Sequence, residues 1–267
     1  MEPMPERSDF DVPHALTRRG FLKTAWLTFG ATCLLGLPEA TVDAGGPPVI
    51  WHGSRELPLV AITVDDCYSL RALGALEGVL DRFPDARLTF FPTGRALLNT
   101  SVRASGLWHR LAANGHELGY HGFEHELPSL SSASELTGDF DRWLAACADA
   151  IQEQPQVRFA RPPYGDISRS FEDMCSERDL SIAMWSTDWA GAWDDARRRV
   201  AAVQPGDIVL VHTRDQDIEN LEMALSVLAG QPLGFVTLST LAADCVGAKD
   251  AACRIPLIPK GRLPKDG

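Results

Sequence analysis

The stretch Leu59-Val60-Ala61-Ile62-Thr63-Val64-Asp65-Asp66 decides the fold: a short β-branched run reads as a strand, and it ends in two adjacent carboxylates. Runs of the same kind recur near Leu88–Phe91, Glu117–Tyr120, Val157–Ala160, Ser181–Trp185, Asp207–Val211 and Phe235–Leu238. Between them lie amphipathic stretches of helical length, beginning near Arg71, Val102, Ser134, Ser168, Asp194 and Gln216. Strands alternating with helices are the pattern of βα units around a parallel sheet. Seven such strands within residues 59–243 favour a closed barrel over an open sheet, so this α/β region is expected to be a single catalytic domain. A Pro/Gly-rich lead over 45–58 reads as a linker and 244–267 as a C-terminal tail.

Polar residues keep phase with the strand ends. Asp65 and Asp66 follow the first predicted strand, His121 the third, Arg161 the fourth, Asp188 the fifth and His212 the sixth. Barrels place active sites on the face formed by the C-terminal ends of their strands, and scattered surface charges would not keep that phase.

Composition bounds the partners. Hydrophobic residues make up 45% and charged residues 23% of 267, the balance of a packed globular protein. The net charge of −11 argues against nucleic acid and anionic membrane as partners, because both need a basic surface. The first 44 residues read as an export signal. Thr17-Arg18-Arg19-Gly20-Phe21-Leu22-Lys23 resembles a twin-arginine motif, and an apolar segment runs from Ala25 to Leu37. Val42-Asp43-Ala44 offers a cleavage site after it. The expectation is a periplasmic or secreted bacterial protein that engages the twin-arginine export machinery, with no stable membrane insertion after cleavage. Six cysteines are present; Cys33 would leave with the signal, and an odd number would remain. Cys245 and Cys253 flank a polar turn and are one candidate pair in an oxidising compartment.

Two like charges side by side at an apolar strand end repel unless a cation intervenes. His121 and His125 sit four apart, a spacing that brings two imidazoles to one side of a turn. One Asp with two His leaves the open fourth position expected of catalytic zinc. His212, read alone, fits a hydrogen-bonded core histidine better than an acid. Trp185, Trp189 and Trp193 fit sugar stacking or core packing equally.

Taken together, these motifs resemble the polysaccharide deacetylases of carbohydrate esterase family 4 over roughly residues 57–243. Thr63-Val64-Asp65-Asp66-Cys67 is similar to the family's Thr-Phe-Asp-Asp-Gly, and His121-Gly122-Phe123-Glu124-His125 to its His-Ser/Thr-x-x-His. Arg161-Pro162-Pro163-Tyr164 is similar to Arg-x-Pro-Tyr/Phe, Leu210-Val211-His212 to Leu-x-His, and Asp188-Trp189 more loosely to the fourth motif. The resemblance implies a distorted (β/α)7 barrel of the TIM-like type. It implies that Asp66, His121 and His125 bind a divalent metal, zinc first, with cobalt, nickel or iron(II) as alternatives. Asp65 would be the general base and Arg161 its partner. The Tyr164 backbone N–H would meet the oxyanion, and His212 would protonate the leaving amine with Asp188 as its carboxylate partner. Leu210 and Trp189 would wall the pocket for the acetyl methyl.

The implied activity is metal-dependent removal of N-acetyl groups from an N-acetylglucosamine-containing polysaccharide or peptidoglycan of the cell envelope. Competing readings are a catalytically weak glycan-binding relative, an O-acetyl esterase and a small-amide amidase on the same barrel. Three departures from the family pattern bear on this: Cys67 stands where glycine is usual, Gly122 replaces the hydroxyl residue expected to brace the histidine loop, and Trp185-Ser186-Thr187-Asp188-Trp189 aligns with the fourth motif in two registers, which leaves the role of Asp188 open.

Overall fold

A computed structural model describes residues 46–243. The export signal and the Cys245/Cys253 pair lie outside the described residues. The strands are β1 (Val49–Ile50), β2 (Leu59–Asp66), β3 (Thr89–Pro92), β4 (Glu117–Leu118), β5 (Phe159–Ala160), β6 (Ser181–Ala183), β7 (Thr187–Asp188), β8 (Ile208–His212) and β9 (Gly234–Val236). The helices are α1 (Leu70–Arg82), α2 (Gly94–Arg103), α3 (Leu107–Ala113), α4 (Ala133–Ile151), α5 (Arg169–Glu177), α6 (Trp193–Ala201), α7 (Asp215–Leu228) and α8 (Leu238–Leu241). No described helix is long and apolar enough to cross a membrane.

Every paired strand is parallel. One sheet runs β4-β3-β2-β8-β7 with β9 on β2, and a second runs β1-β6-β5. They meet at a parallel bridge between Tyr120 and Ala160 and again at His52 and Asp207. The result is an α/β barrel, distorted because its ring is two sheets joined by single bridges. Strand β2 is the hub. Val60 through Asp65 are all buried, which suits a strand covered on both faces. Helix α1 shows how the outer layer is held: Ser69 caps its first turn, accepting from the Ala72 N–H, and Leu73, Leu76, Val79 and Leu80 form one buried stripe.

All seven expected strands are present, and two further ones are too short to show a period. Strand β1 lies inside the stretch read as a linker and pairs with β6. Strand β7 separates Asp188 from the strand it was assigned to and pairs with β8. The helix expected from Val102 is two helices instead. Thr93 caps α2 by accepting from the Ala96 N–H, and Gly106, at φ 78°, turns the chain into α3. The run near Phe235 stops at Val236, because Thr237 caps α8.

Candidate active site

Parallel register brings the strand ends together. Asp65 on β2 is the register partner of Phe91 on β3 and of His212 on β8, and Asp66 is the partner of Pro92. At the end of β2 the backbone turns sharply: Asp66 and Cys67 have φ of 64° and 63°, and the Cys67 N–H donates to the Asp65 carbonyl at 2.7 Å. His125 and Tyr164 also have positive φ. Left-handed conformations at residues other than glycine cost on the order of 1 kcal/mol each and persist where surrounding structure enforces them.

Three ligand atoms converge. One donor atom each from Asp66, His121 and His125 lie within 4.8 Å of one another. Asp66 Oδ1 is 3.1 Å from His125 Nε2 and 3.5 Å from His121 Nε2, yet it is buried without a hydrogen bond. His121 Nδ1 lies 2.8 Å from the Arg161 carbonyl oxygen. A carbonyl only accepts, so Nδ1 carries a proton and Nε2 is the nitrogen that faces Asp66. A buried carboxylate oxygen without a hydrogen bond, faced by two imidazole Nε2 atoms, is a set that a divalent cation can fill by displacing the proton, and the donor set suits zinc. The residues fit a metal.

Electrostatics agree with that placement. Burial pushes the Asp66 carboxyl upward, but the two imidazoles outweigh it and hold the carboxyl well below the usual range. Burial opposes charge on His121; Asp65, Asp66 and the Arg161 carbonyl prevail and raise its pKa, so metal must displace a proton there. Burial, then the two carboxylates, pushes the Cys67 thiol well above its ordinary value. That thiol is fully buried and donates to the Val64 carbonyl at 3.5 Å, so it stays protonated and outside the ligand group.

Arg161 holds Asp65 from behind. Fully buried, its guanidinium donates to Asp65 Oδ1 at 2.7 Å, to Thr63 Oγ1 at 2.7 Å and to the Ala183 and Met184 carbonyls. Burial lowers the affinity of the guanidinium for its proton, and Asp65 offsets that. His212 ends β8 beside Asp65, and Tyr164 lays its exposed ring 4.5 Å from that of His125.

Comparison with known proteins places this geometry. The Polysaccharide deacetylase family model matches residues 52–182. Residues 52–182 thus resemble a polysaccharide deacetylase domain. It is 29% identical over 215 residues to a peptidoglycan-N-acetylglucosamine deacetylase of Bacillus cereus, covering 72% of this chain and 92% of that protein. It is 23% identical over 207 residues to YlxY of Bacillus subtilis, covering 75% of this chain and 63% of that protein, so it spans under two thirds of that relative. Among solved structures, a carbohydrate esterase family 4 pseudoenzyme of Bacillus anthracis shares the fold, with a TM-score of 0.65 and 21% identity over 73% of this chain and 69% of that one.

At the fourth motif the structure departs from the sequence expectation. Asp188 does not face His212. Its carboxylate pairs with Arg199 on α6, which also donates to the Ala190 carbonyl. The carboxylate near His212 is Asp217 on α7, at 3.8 Å from Nδ1. A buried acid in the first turn of the helix after the Leu-x-His motif is the signal that could have found it. Trp189 is fully buried with its Nε1 unpartnered, so it has no face to offer a sugar; Trp193, 42% exposed, has one. Leu210 is buried at 7% exposure.

Gly122 is explained by its φ of 75°, and bracing of the histidine loop comes from elsewhere. Asp139 on α4 accepts from the Phe123 N–H at 2.7 Å and from the Tyr120 hydroxyl at 2.6 Å. Burial, then Asp139, raises the Tyr120 pKa, which keeps the phenol a donor. Glu124 forms ion pairs with Arg95 and Arg142 outside the ligand group. Asp139 was not singled out from sequence, because nothing local marks a helix carboxylate that reaches a loop 16 residues earlier.

Proposed function

We propose that this chain is a metal-dependent deacetylase that removes N-acetyl groups from an N-acetylglucosamine-containing polymer of the cell envelope, outside the cytoplasm. The observation that carries the reading is the convergence of Asp66, His121 and His125 beside an Arg161-clamped Asp65. The Bacillus cereus relative, named for this activity, supports the choice of substrate. Zinc is the first choice of metal, with cobalt, nickel or iron(II) as alternatives.

When bound, the metal supplies Lewis acidity that makes water a nucleophile near neutral pH. Asp65, oriented by Arg161, takes the proton of the attacking water. The Tyr164 N–H faces the oxyanion that develops at the acetyl carbonyl, a contact typically worth about 3 kcal/mol. His212 hands a proton to the departing amine, and Leu210 bounds the space for the acetyl methyl.

The test is acetate release from N-acetylglucosamine oligomers and from peptidoglycan by the zinc-loaded protein. Wild type releases acetate; Asp65→Asn loses activity by at least about 100-fold while keeping its zinc. Release from no acetylated glycan sinks the enzyme reading and leaves a glycan binder, an alternative that the fold likeness to a pseudoenzyme motivates. Preference for acetylated xylan or a small amide in the same assay redirects the substrate to an O-acetyl ester or a non-sugar amide.

A further inference from the structure

We propose that Asp217 is the positioning residue for His212, in place of Asp188; the inference rests on the deacetylase reading above. Three observations converge on it. First, His212 Nδ1 is buried with no hydrogen-bond partner, and the Asp217 carboxylate is 3.8 Å away. That gap exceeds a hydrogen bond by under about 1 Å, and catalytic hydrogen bonds are often long before substrate tightens them. Second, Asp217 is 1% exposed and its Oδ2 already accepts from the His212 backbone N–H at 3.3 Å, so histidine and carboxylate are tied through the main chain. Third, Asp188 is engaged elsewhere: Arg199 takes its carboxylate and also donates to the Ala190 carbonyl.

Helix α7 reinforces the arrangement. Asn220, one turn after Asp217 and fully buried, donates to the Trp189 and Gly191 carbonyls. The same helix therefore pins the β7 loop and presents its carboxylate to His212. With Nδ1–H directed at Asp217, Nε2 is the nitrogen that faces substrate. As the C–N bond breaks, the amine nitrogen takes the Nε2 proton, and acetate leaves with the oxygen supplied by water. Across the sheet, the β2 register partner of His212 is Asp65, whose carboxylate is clamped by Arg161.

The experiment compares zinc-loaded wild type, Asp217→Asn, Asp188→Asn and, as an exposed control on the same turn, Asp215→Asn. Two substrates are used: an N-acetylglucosamine oligomer, whose amine leaves only when protonated, and 4-nitrophenyl acetate, whose phenolate leaves unaided. Asp217→Asn is expected to lose kcat on the oligomer by about 100-fold or more, with KM within about twofold, zinc retained and 4-nitrophenyl acetate hydrolysis within about threefold. Unchanged kcat, parallel loss on both substrates, or the selective loss appearing in Asp188→Asn instead overturns the proposal. If wild type cleaves neither substrate, the functional reading fails, and the pairing is judged by 15N spectra of the His212 ring. A proton on Nδ1 in wild type that redistributes towards Nε2 in Asp217→Asn supports it. The same tautomer in both proteins overturns it.

Discussion

At the scale of single residues, burial decides what each ionisable group can do. His116 is the simplest case, away from Asp66, His121 and His125. Its Nδ1 accepts from the Leu88 N–H at 3.1 Å, and burial, then Arg87, lowers its pKa from 6.5 to about 4. The folded protein thus keeps His116 neutral where the unfolded chain protonates it. Stability from this group is fully present above pH 6.5 and is lost as pH falls towards about 4, where the loss levels off. The full effect is up to about 3 kcal/mol. Asn at this position still offers an acceptor to Leu88 and cannot titrate. In urea unfolding at pH 7.5 and 4.5, His116→Asn is therefore expected to lose less stability on acidification than wild type. Equal losses would show that His116 contributes nothing to acid sensitivity.

At the scale of elements, the histidine loop owes its shape to α4. Ser132 and Glu135 form a capping box that starts this helix, and its buried face carries Leu136, Phe140 and Trp143. Asp139 projects from it to the Phe123 N–H and the Tyr120 hydroxyl. Gly94 opens α2 against the Phe123 ring so closely that a Cβ there would lie 2.1 Å from a ring carbon. Removing the Asp139 carboxylate leaves a donor of the loop without a partner, and supports of this kind typically carry 10–100-fold in metal affinity. Asp139→Ala is expected to weaken zinc binding within that range in a chelator competition, with the helical circular dichroism signal kept. Wild-type affinity in the variant would assign the loop's shape to the Arg95 and Arg142 ion pairs with Glu124 instead.

At the scale of the whole molecule, the site joins distant parts of the barrel. Asp66 belongs to β2, the hub strand, while both histidines follow β4, and the Arg161 carbonyl that orients His121 follows β5 across the Tyr120–Ala160 bridge. A metal held by Asp66, His121 and His125 would tie the end of β2 to the loop after β4 and stabilise the folded state by mass action. At free zinc about 100-fold above its Kd the gain is about 2.7 kcal/mol. For a domain of this size that corresponds to a rise in Tm of roughly 5–10 °C. The rise should shrink as pH falls, because the raised pKa of His121 makes proton and metal compete. Differential scanning calorimetry with and without zinc at pH 8 and 6 checks both statements. His121→Ala should show no zinc-dependent rise, and a wild-type rise in that variant would remove His121 from the ligand set.

How much of this was legible beforehand follows from the range of each interaction. The seven strands and the convergence of Asp65, Asp66, His121 and Arg161 were legible, because each of these residues ends or follows its own apolar run and parallel register carries strand ends to one face. The histidine pair was legible because both members sit in one short loop. Strands β1 and β7, of two residues each, are below the length at which a period shows. The carboxylate of His212 was illegible for a different reason. Asp188 and Asp217 are both acids near the right strand end, and only the packing of α6 and α7 against the sheet gives Arg199 to the first and His212 to the second. Sequence by itself determined which residue types stand at the mouth of the barrel, since that depends on strand phase. The tertiary structure alone decided which of them touch, since a side chain's partner depends on sub-ångström to few-ångström differences set by helices distant along the chain.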